Sequence, residues 1–205
     1  MKHSIVGYGS LINLASLRRT LPKVQESHPV RIHGYKRSWN AQEDMTNSFS
    51  TTYLGIEKDE LSLFNGVLFE VDESQLDLID SREFLYNRIE LSRNSIEVLD
   101  SDFELKKEQK IWIYLTKTPK NATAEFPLIQ SYIDVCIKGC LEIEEHFSLH
   151  GFTEEFLKTT YGWSRYWVND RIFPRAPHIH EPRAFEIDKL LYTHLYEYYR
   201  EITIE

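Results

Sequence analysis

Two short stretches hold residue types that could do chemistry together. Tyr8-Gly9-Ser10-Leu11 falls where a strand ends and a helix is about to begin. Glycine there permits unusual dihedrals and close approach. Successive main-chain amides in such a bend can converge on an anion, which is one way a carboxylate is captured by backbone N–H groups. An ordinary turn would use the same residues. The second stretch is Ile79-Asp80-Ser81-Arg82-Glu83-Phe84-Leu85-Tyr86-Asn87-Arg88. Its acids and bases could be a solvated helix end, but Glu83 precedes Phe84 and Leu85 at a helix-to-strand junction. A carboxyl beside apolar groups has its ionised form disfavoured, so its pKa rises and it becomes a usable base. Arg82 or Arg88 could attract an anionic substrate, or simply pair with neighbouring acids.

The elements around these stretches must bring them together. Residues 4–8 read as a short buried strand broken by Gly9-Ser10. Asn13 can cap a helix to about Leu21, stopped by Pro22. Residues 30–40 look extended. Residues 50–56 and 65–71, with turn chemistry at Lys58-Asp59-Glu60, give a hairpin signal. Asp72 with Gln75 three residues on resembles a capping box; its helix, with Leu76, Leu78 and Ile79 inward, should end near Glu83. Residues 86–91, 95–99 and 110–116 read as strands. Pro127 opens a long helix with Ile129, Tyr132, Ile133, Cys136, Ile137, Cys140 and Leu141 on one face. Thr153 can cap a short helix over 154–160, residues 161–185 read as irregular, and an amphipathic helix covers 188–199. Strands to about residue 116, with helices inserted and then appended, make an α+β pattern. Strands of this number could close into a small barrel.

Twenty-four Lys and Arg against 32 Asp and Glu leave a net charge of −8 over 205 residues. Nucleic acid is therefore not an expected partner, because phosphate contacts need clustered positive charge. Hydrophobic residues at 41% and aromatics at 13% suffice for a core. No apolar run approaches the ~18 residues of a membrane span, so no membrane partner is expected. The opening MKHSIVGYGSLI is broken by Tyr8, Gly9 and Ser10, unlike a signal peptide. Cys136 and Cys140 read as small buried side chains in a reducing, cytoplasmic compartment. His178-x-His180, even with His146 and His150, lacks the spacing of a metal site, and none is expected.

Together with the glycine-led strand Gly66-Val67-Leu68-Phe69, the two stretches resemble the γ-glutamylcyclotransferase-like superfamily. His33-Gly34-Tyr35-Lys36-Arg37, Ile113-Tyr114-Leu115, and Pro127, Tyr132 and Gly139 resemble further segments of that family in the right order. The resemblance covers about residues 1–145. It implies a small mixed β-barrel with surrounding helices, and cyclisation of a γ-glutamyl group to 5-oxoproline with release of an amine or amino acid. It implies no cofactor. Glu83 matches the catalytic glutamate; Tyr8, Gly9, Ser10 and Leu11 match the loop that holds the glutamyl α-carboxylate; Tyr86 matches an aromatic near the site. Tyr132 and Arg88 are further pocket candidates, although Tyr132 also fits the apolar face of its helix. Tyr86-x-Arg88 looks closer to the γ-glutamylamine branch than to the glutathione-degrading ChaC-type branch, whose glycine pair after Arg-Glu is missing. A non-catalytic small-molecule-binding or interaction protein that retains the pocket is the alternative.

Residues 146–205 form a C-terminal helical extension beyond this core, expected to pack on the 1–145 domain as one compact unit. Its aromatic stretch over 161–171, with Trp163, Tyr166, Trp167 and Arg171, could clamp the barrel, wall the pocket, or centre a homodimer interface.

Overall fold

The computed structural model describes residues 2–44, 50–106, 108–175 and 181–205; His178 and His180 lie outside them. In chain order the elements are β1 (Lys2–Gly7), a 3-10 turn (Ser10–Ile12), α1 (Leu14–Thr20), β2 (His28–Glu43), β3 (Thr51–Asp72), α2 (Glu73–Arg82) and β4 (Tyr86–Glu90). After a second 3-10 turn (Arg93–Ser95) come β5 (Ile96–Val98), β6 (Lys110–Thr116), β7 (Leu128–Ile129), α3 (Gln130–Phe147), α4 (Phe152–Lys158), β8 (Thr160–Tyr161), β9 (Trp167–Asn169), α5 (Ala184–Tyr199) and β10 (Thr203–Ile204). The main sheet runs β4-β6-β1-β3-β2-β5, with β8 added to β2. The β1–β6 and β2–β8 pairs are parallel and the other pairs antiparallel. A small parallel sheet, β10-β9-β7, lies apart.

The expected barrel does not close, since β4 and β5 are separate edges. Laid flat, six strands would put those edges about 24 Å apart. The connection over residues 91–95 spans at most about 20–22 Å, so the sheet curls partway toward closure. Its two faces follow the alternation of strand side chains. Val6, Ile32, Ile56, Phe64, Leu68, Ile111 and Ile113 form one core, flanked by Phe103 and Leu105. Ile5, Trp39, Leu54, Val67 and Phe69 join the other, with Ile133, Cys136, Ile137 and Cys140 of α3 and Phe156, Trp163, Trp167, Ile187 and Leu191 of the C-terminal segment. Both cysteines are free and buried.

Local signals place the helix starts well. Asn13 accepts the Ser16 N–H at 2.8 Å. Asp72 and Gln75 make both bonds of the capping box. Other expectations need correction. Residues 50–56 and 65–71 do not pair as a hairpin; they are two parts of β3, and both pair with β2. The turn chemistry at Lys58-Asp59-Glu60 instead makes an outward excursion opposite Gly34, whose φ of +84° relieves the matching strain in β2. Asp59 closes it by accepting the Leu61 N–H and the Ser62 hydroxyl, and Leu61 is left 98% exposed. Leu78 also faces solvent. The long helix starts at Gln130, because Leu128 and Ile129 pair with β9. Gly151 precedes α4 as its cap, while the Thr153 hydroxyl donates to Glu144. Within 161–171, Trp163 and Trp167 stack at 5.4 Å and Trp163 meets Trp39 at 5.2 Å. Arg171 pairs with Asp134 and Asp188.

The fully buried Arg37 ties the layers together. It donates to the carbonyls of Tyr8 (3.3 Å), Asn65 (2.6 Å) and Phe156 (2.9 Å), to the Asn65 side chain, and to the hydroxyls of Thr159 and Thr160. Its guanidinium lies 4.0 Å over the Phe156 ring. Burial pulls its pKa down to about 10, which leaves it charged at neutral pH.

Gly139 sets how closely α3 approaches the turn after β1. A Cβ there would fall 2.5 Å from the Asn13 nitrogen and 2.8 Å from the Ile12 carbonyl carbon. Gly139→Ala must therefore push backbone rather than a flexible side chain. We expect it to destabilise the fold by roughly 1–3 kcal/mol, read as a lower denaturant midpoint with unchanged slope.

Candidate active site

Ligands of α/β sheets favour the carboxyl ends of parallel strands, and here β1 and β6 form such a pair. The chain leaves β1 through Tyr8 and Gly9 into the 3-10 turn. Gly9 has φ −129° and ψ −126°, neither extended nor left-handed, and a Cβ there would stand 2.7 Å from the Tyr132 hydroxyl. That hydroxyl oxygen is hydrogen-bonded by the Ser10 backbone N–H. Glu83 arrives from the opposite side as the C-cap of α2. Its own N–H bonds to Ile79 at 2.8 Å and its carbonyl accepts the Tyr86 N–H at 2.9 Å, so the turn that carries the side chain is pinned at both ends.

Ser10, Glu83, Tyr86 and Tyr132 together line a cleft of about 210 Å³, walled also by Glu43, Tyr53, Phe84, Leu85 and Val135. The same four residues border a small inner recess of about 20 Å³ with Tyr8, Gly9, Leu11, Leu54 and Tyr114. The structure thus gathers Tyr8, Gly9, Ser10, Leu11, Glu83, Tyr86 and Tyr132 around one space. Arg88 is not part of either lining. It pairs with Asp80 at 3.1 Å and stacks 4.9 Å over Trp112. Among the described residues Arg82 is the cation that lines the cleft: it reaches the Ser10 hydroxyl (3.1 Å), Ser16 and Thr20, and lies 3.2 Å from Glu83. A wider groove of about 650 Å³ beside α3 holds none of the residues nominated for catalysis or substrate binding.

The electrostatics of the cleft centre on Glu83, whose side chain is 15% exposed. Burial pushes its pKa from 4.5 up to about 7, with Arg82 pulling the other way. Its position at a helix C-terminus, where carbonyl dipoles point outward, disfavours the anion further. The surrounding phenols are held in place: Tyr8 donates to the Tyr114 carbonyl (2.6 Å), Tyr86 to the Leu54 carbonyl (2.7 Å) and Tyr114 to Asp80 (2.6 Å). Burial raises the pKa of each of the three, so they remain neutral. Asp80, through Tyr114 and Arg88, supports the site without entering it.

Sequence reasoning missed Glu43, Tyr53, Leu54 and Val135. The first three stand near the distant end of the β2–β3 pairing, and no local pattern ties that end to Glu83. Tyr114 lay within the recognised strand motif but was not assigned to the site. No group of three or more His, Cys, Asp or Glu able to hold a metal occurs among the described residues. No helix among them is long and apolar enough to cross a membrane.

A half-open mixed sheet with a desolvated glutamate facing the bend after its first strand defines a class, and the comparisons name it. Residues 5–132 match the gamma-glutamyl cyclotransferase, AIG2-like family, and the chain belongs to that family. It is similar in fold to a solved gamma-glutamyl cyclotransferase (TM-score 0.57, 14% identity, 76% of this chain and 86% of that one). It is likewise similar to an uncharacterised protein from Homo sapiens (TM-score 0.55, 14% identity, 76% and 86%). A third similar structure is YkqA from Bacillus subtilis (TM-score 0.54, 18% identity, 77% and 53%). No curated protein matches the chain in sequence.

The pKa of Glu83 makes a claim about stability. The folded carboxyl holds its proton up to about 7, whereas in the unfolded chain it ionises near 4.5. Stability therefore falls as pH rises from 4.5 to 7 and stays reduced above it, by about 3 kcal/mol at about 1.4 kcal/mol per tenfold. Glu83→Gln removes that penalty. Its melting temperature relative to the parent should rise between pH 4.5 and pH 8; a difference independent of pH would contradict the burial.

Proposed function

We propose that this protein cyclises γ-glutamyl amides to 5-oxoproline, releasing a free amine, with Glu83 carrying the proton. The observation behind this reading is the shared cleft, in which a carboxyl that titrates near neutrality borders the same space as the bend after β1. The substrate's α-amine attacks its own γ-carbonyl carbon. A five-membered ring forms and the bond to the leaving nitrogen breaks; the α-ammonium gives up two protons in becoming the lactam N–H, and the leaving nitrogen takes up two in departing as an ammonium. No external nucleophile is consumed. Nucleophile and electrophile belong to one molecule, and good alignment is worth effective molarities of about 10⁵–10⁸ M. The protein's task is to fold the glutamyl chain and pass protons from the attacking nitrogen to the leaving one.

The residues divide that task. The α-carboxylate binds the main-chain donors of Gly9, Ser10 and Leu11, taking over the Ser10 N–H from the Tyr132 hydroxyl, and Arg82 adds positive charge at Ser10. Glu83, poised near 7, accepts from an ammonium whose reference pKa is about 7.7–8.0; an ordinary carboxyl near 4.3 is a poorer match for that proton. The neutral phenols of Tyr8 and Tyr86 keep water out. γ-Glutamyl amines rather than glutathione are the substrates, since Arg82-Glu83 is followed by Phe84-Leu85 in place of a glycine pair. Two free, buried cysteines suit a reducing cytoplasm.

Incubation with γ-glutamyl amines, γ-glutamyl amino acids and glutathione, scoring 5-oxoproline by mass, tests this. Product from the amines is expected. Glu83→Gln should lower kcat/KM by roughly 10²–10⁴-fold and remove the rise in rate as pH passes about 7. Binding across the panel with no product would favour a non-catalytic small-molecule binder.

A further inference from the structure

Among the described residues three charged side chains line the cleft, and two of them serve each other. Arg82 spends its guanidinium on Ser10, Ser16, Thr20 and Glu83. The third, Glu43, ends β2 and lines the cleft with Phe84, Leu85 and Val135. It is half-buried, and its carboxylate accepts the Tyr53 hydroxyl. Burial pushes its pKa up while the Tyr53 bond opposes the rise. Asp170 and Arg175 act on Tyr53 with opposite sign, and Arg175 is paired with Glu205. Among the described residues the cleft beyond Glu83 therefore offers apolar and aromatic walls and one carboxylate.

Resting on the cyclotransferase reading, we infer that Glu43 is a specificity residue for leaving amines that carry a second, cationic amino group, so that the preferred substrates are mono-γ-glutamyl amides of diamines. With the glutamyl end at Ser10 and Glu83, the leaving group runs along Leu85 and Val135. An alkyl stem suits those walls. A terminal ammonium suits Glu43, and the Tyr53 and Tyr132 rings, packed edge-to-face at 4.7 Å, offer aromatic surface that also favours a cation. A leaving group ending in a carboxylate meets like charge in a partly desolvated space, which is unfavourable.

The test compares kcat/KM for γ-glutamylputrescine, its neutral near-isostere γ-glutamylbutylamine, and γ-glutamylalanine. The unmodified protein should prefer the putrescine amide by about tenfold or more over both others, a modest value for one partly desolvated charge pair. Glu43→Gln should bring the putrescine and butylamine amides to within about twofold of each other. The ranking in the unmodified protein stands as a test even if the variant folds poorly. Equal turnover of all three amides, or a preference that survives Glu43→Gln, overturns this inference and leaves the cyclotransferase reading intact. No 5-oxoproline from any amide overturns both.

Discussion

A carboxyl held away from water must find a cation, hydrogen-bond donors or a proton. The cleft withholds most of the first two from Glu83. Arg82 is close, but its charge is shared with the turn that follows β1, and it is the single partner of the Glu83 carboxylate among the described residues. The phenols that could have solvated the anion donate elsewhere, Tyr8 and Tyr86 to carbonyls and Tyr114 to Asp80. The proton becomes the remaining compensation, and the pKa rises to about 7. The arrangement that costs stability at neutral pH is the one that makes the group useful for proton transfer. The protein's fixed hydrogen bonds thus do chemical work by being unavailable to Glu83.

Holding the bend opposite Glu83 is the task of a second buried charge. Arg37 reaches the Tyr8 carbonyl at the end of β1, Asn65 in β3, and the carbonyl and hydroxyls at the end of α4 and start of β8. The segment beyond residue 145 is thereby bonded to the backbone next to Gly9. Its oxygen partners are neutral, so the cation is solvated by fixed dipoles rather than neutralised. Gly139 completes the support by letting α3 lie against Asn13. Packing far from the cleft in sequence therefore sets the position of the main-chain donors.

Much of this was legible from local chemistry. Asn13, Asp72 and Gln75 declare helix starts because their side-chain oxygens satisfy nearby orphan N–H groups, and that interaction is complete within a few residues. The alternation of Ile111, Trp112, Ile113 and Tyr114 declares a strand with two different faces. Glu83 stood out because Phe84 and Leu85 follow it. What depended on distant partners stayed hidden. The Lys58-Asp59-Glu60 turn carries the local signal of a hairpin, and nothing nearby in the sequence reveals that β2 pairs with both halves of β3. By residue type alone Arg88 is as suitable a cation as Arg82; the turn geometry sends one into the cleft and the other toward Asp80 and Trp112. Glu43 and Tyr53 enter through the long β2–β3 pairing, a non-local feature no motif encodes.

The tuning of the cleft rests on the protonation of one side chain, which can be observed directly. Carbon-13 spectra of protein labelled at the glutamate carboxyls, with the Glu83 signal assigned by its loss in Glu83→Gln, would follow its titration without substrate or turnover. A midpoint near 7 is what the desolvated cleft requires. A midpoint near 4.5, alongside the exposed glutamates, would mean that water reaches the carboxyl and that the cleft does not tune it.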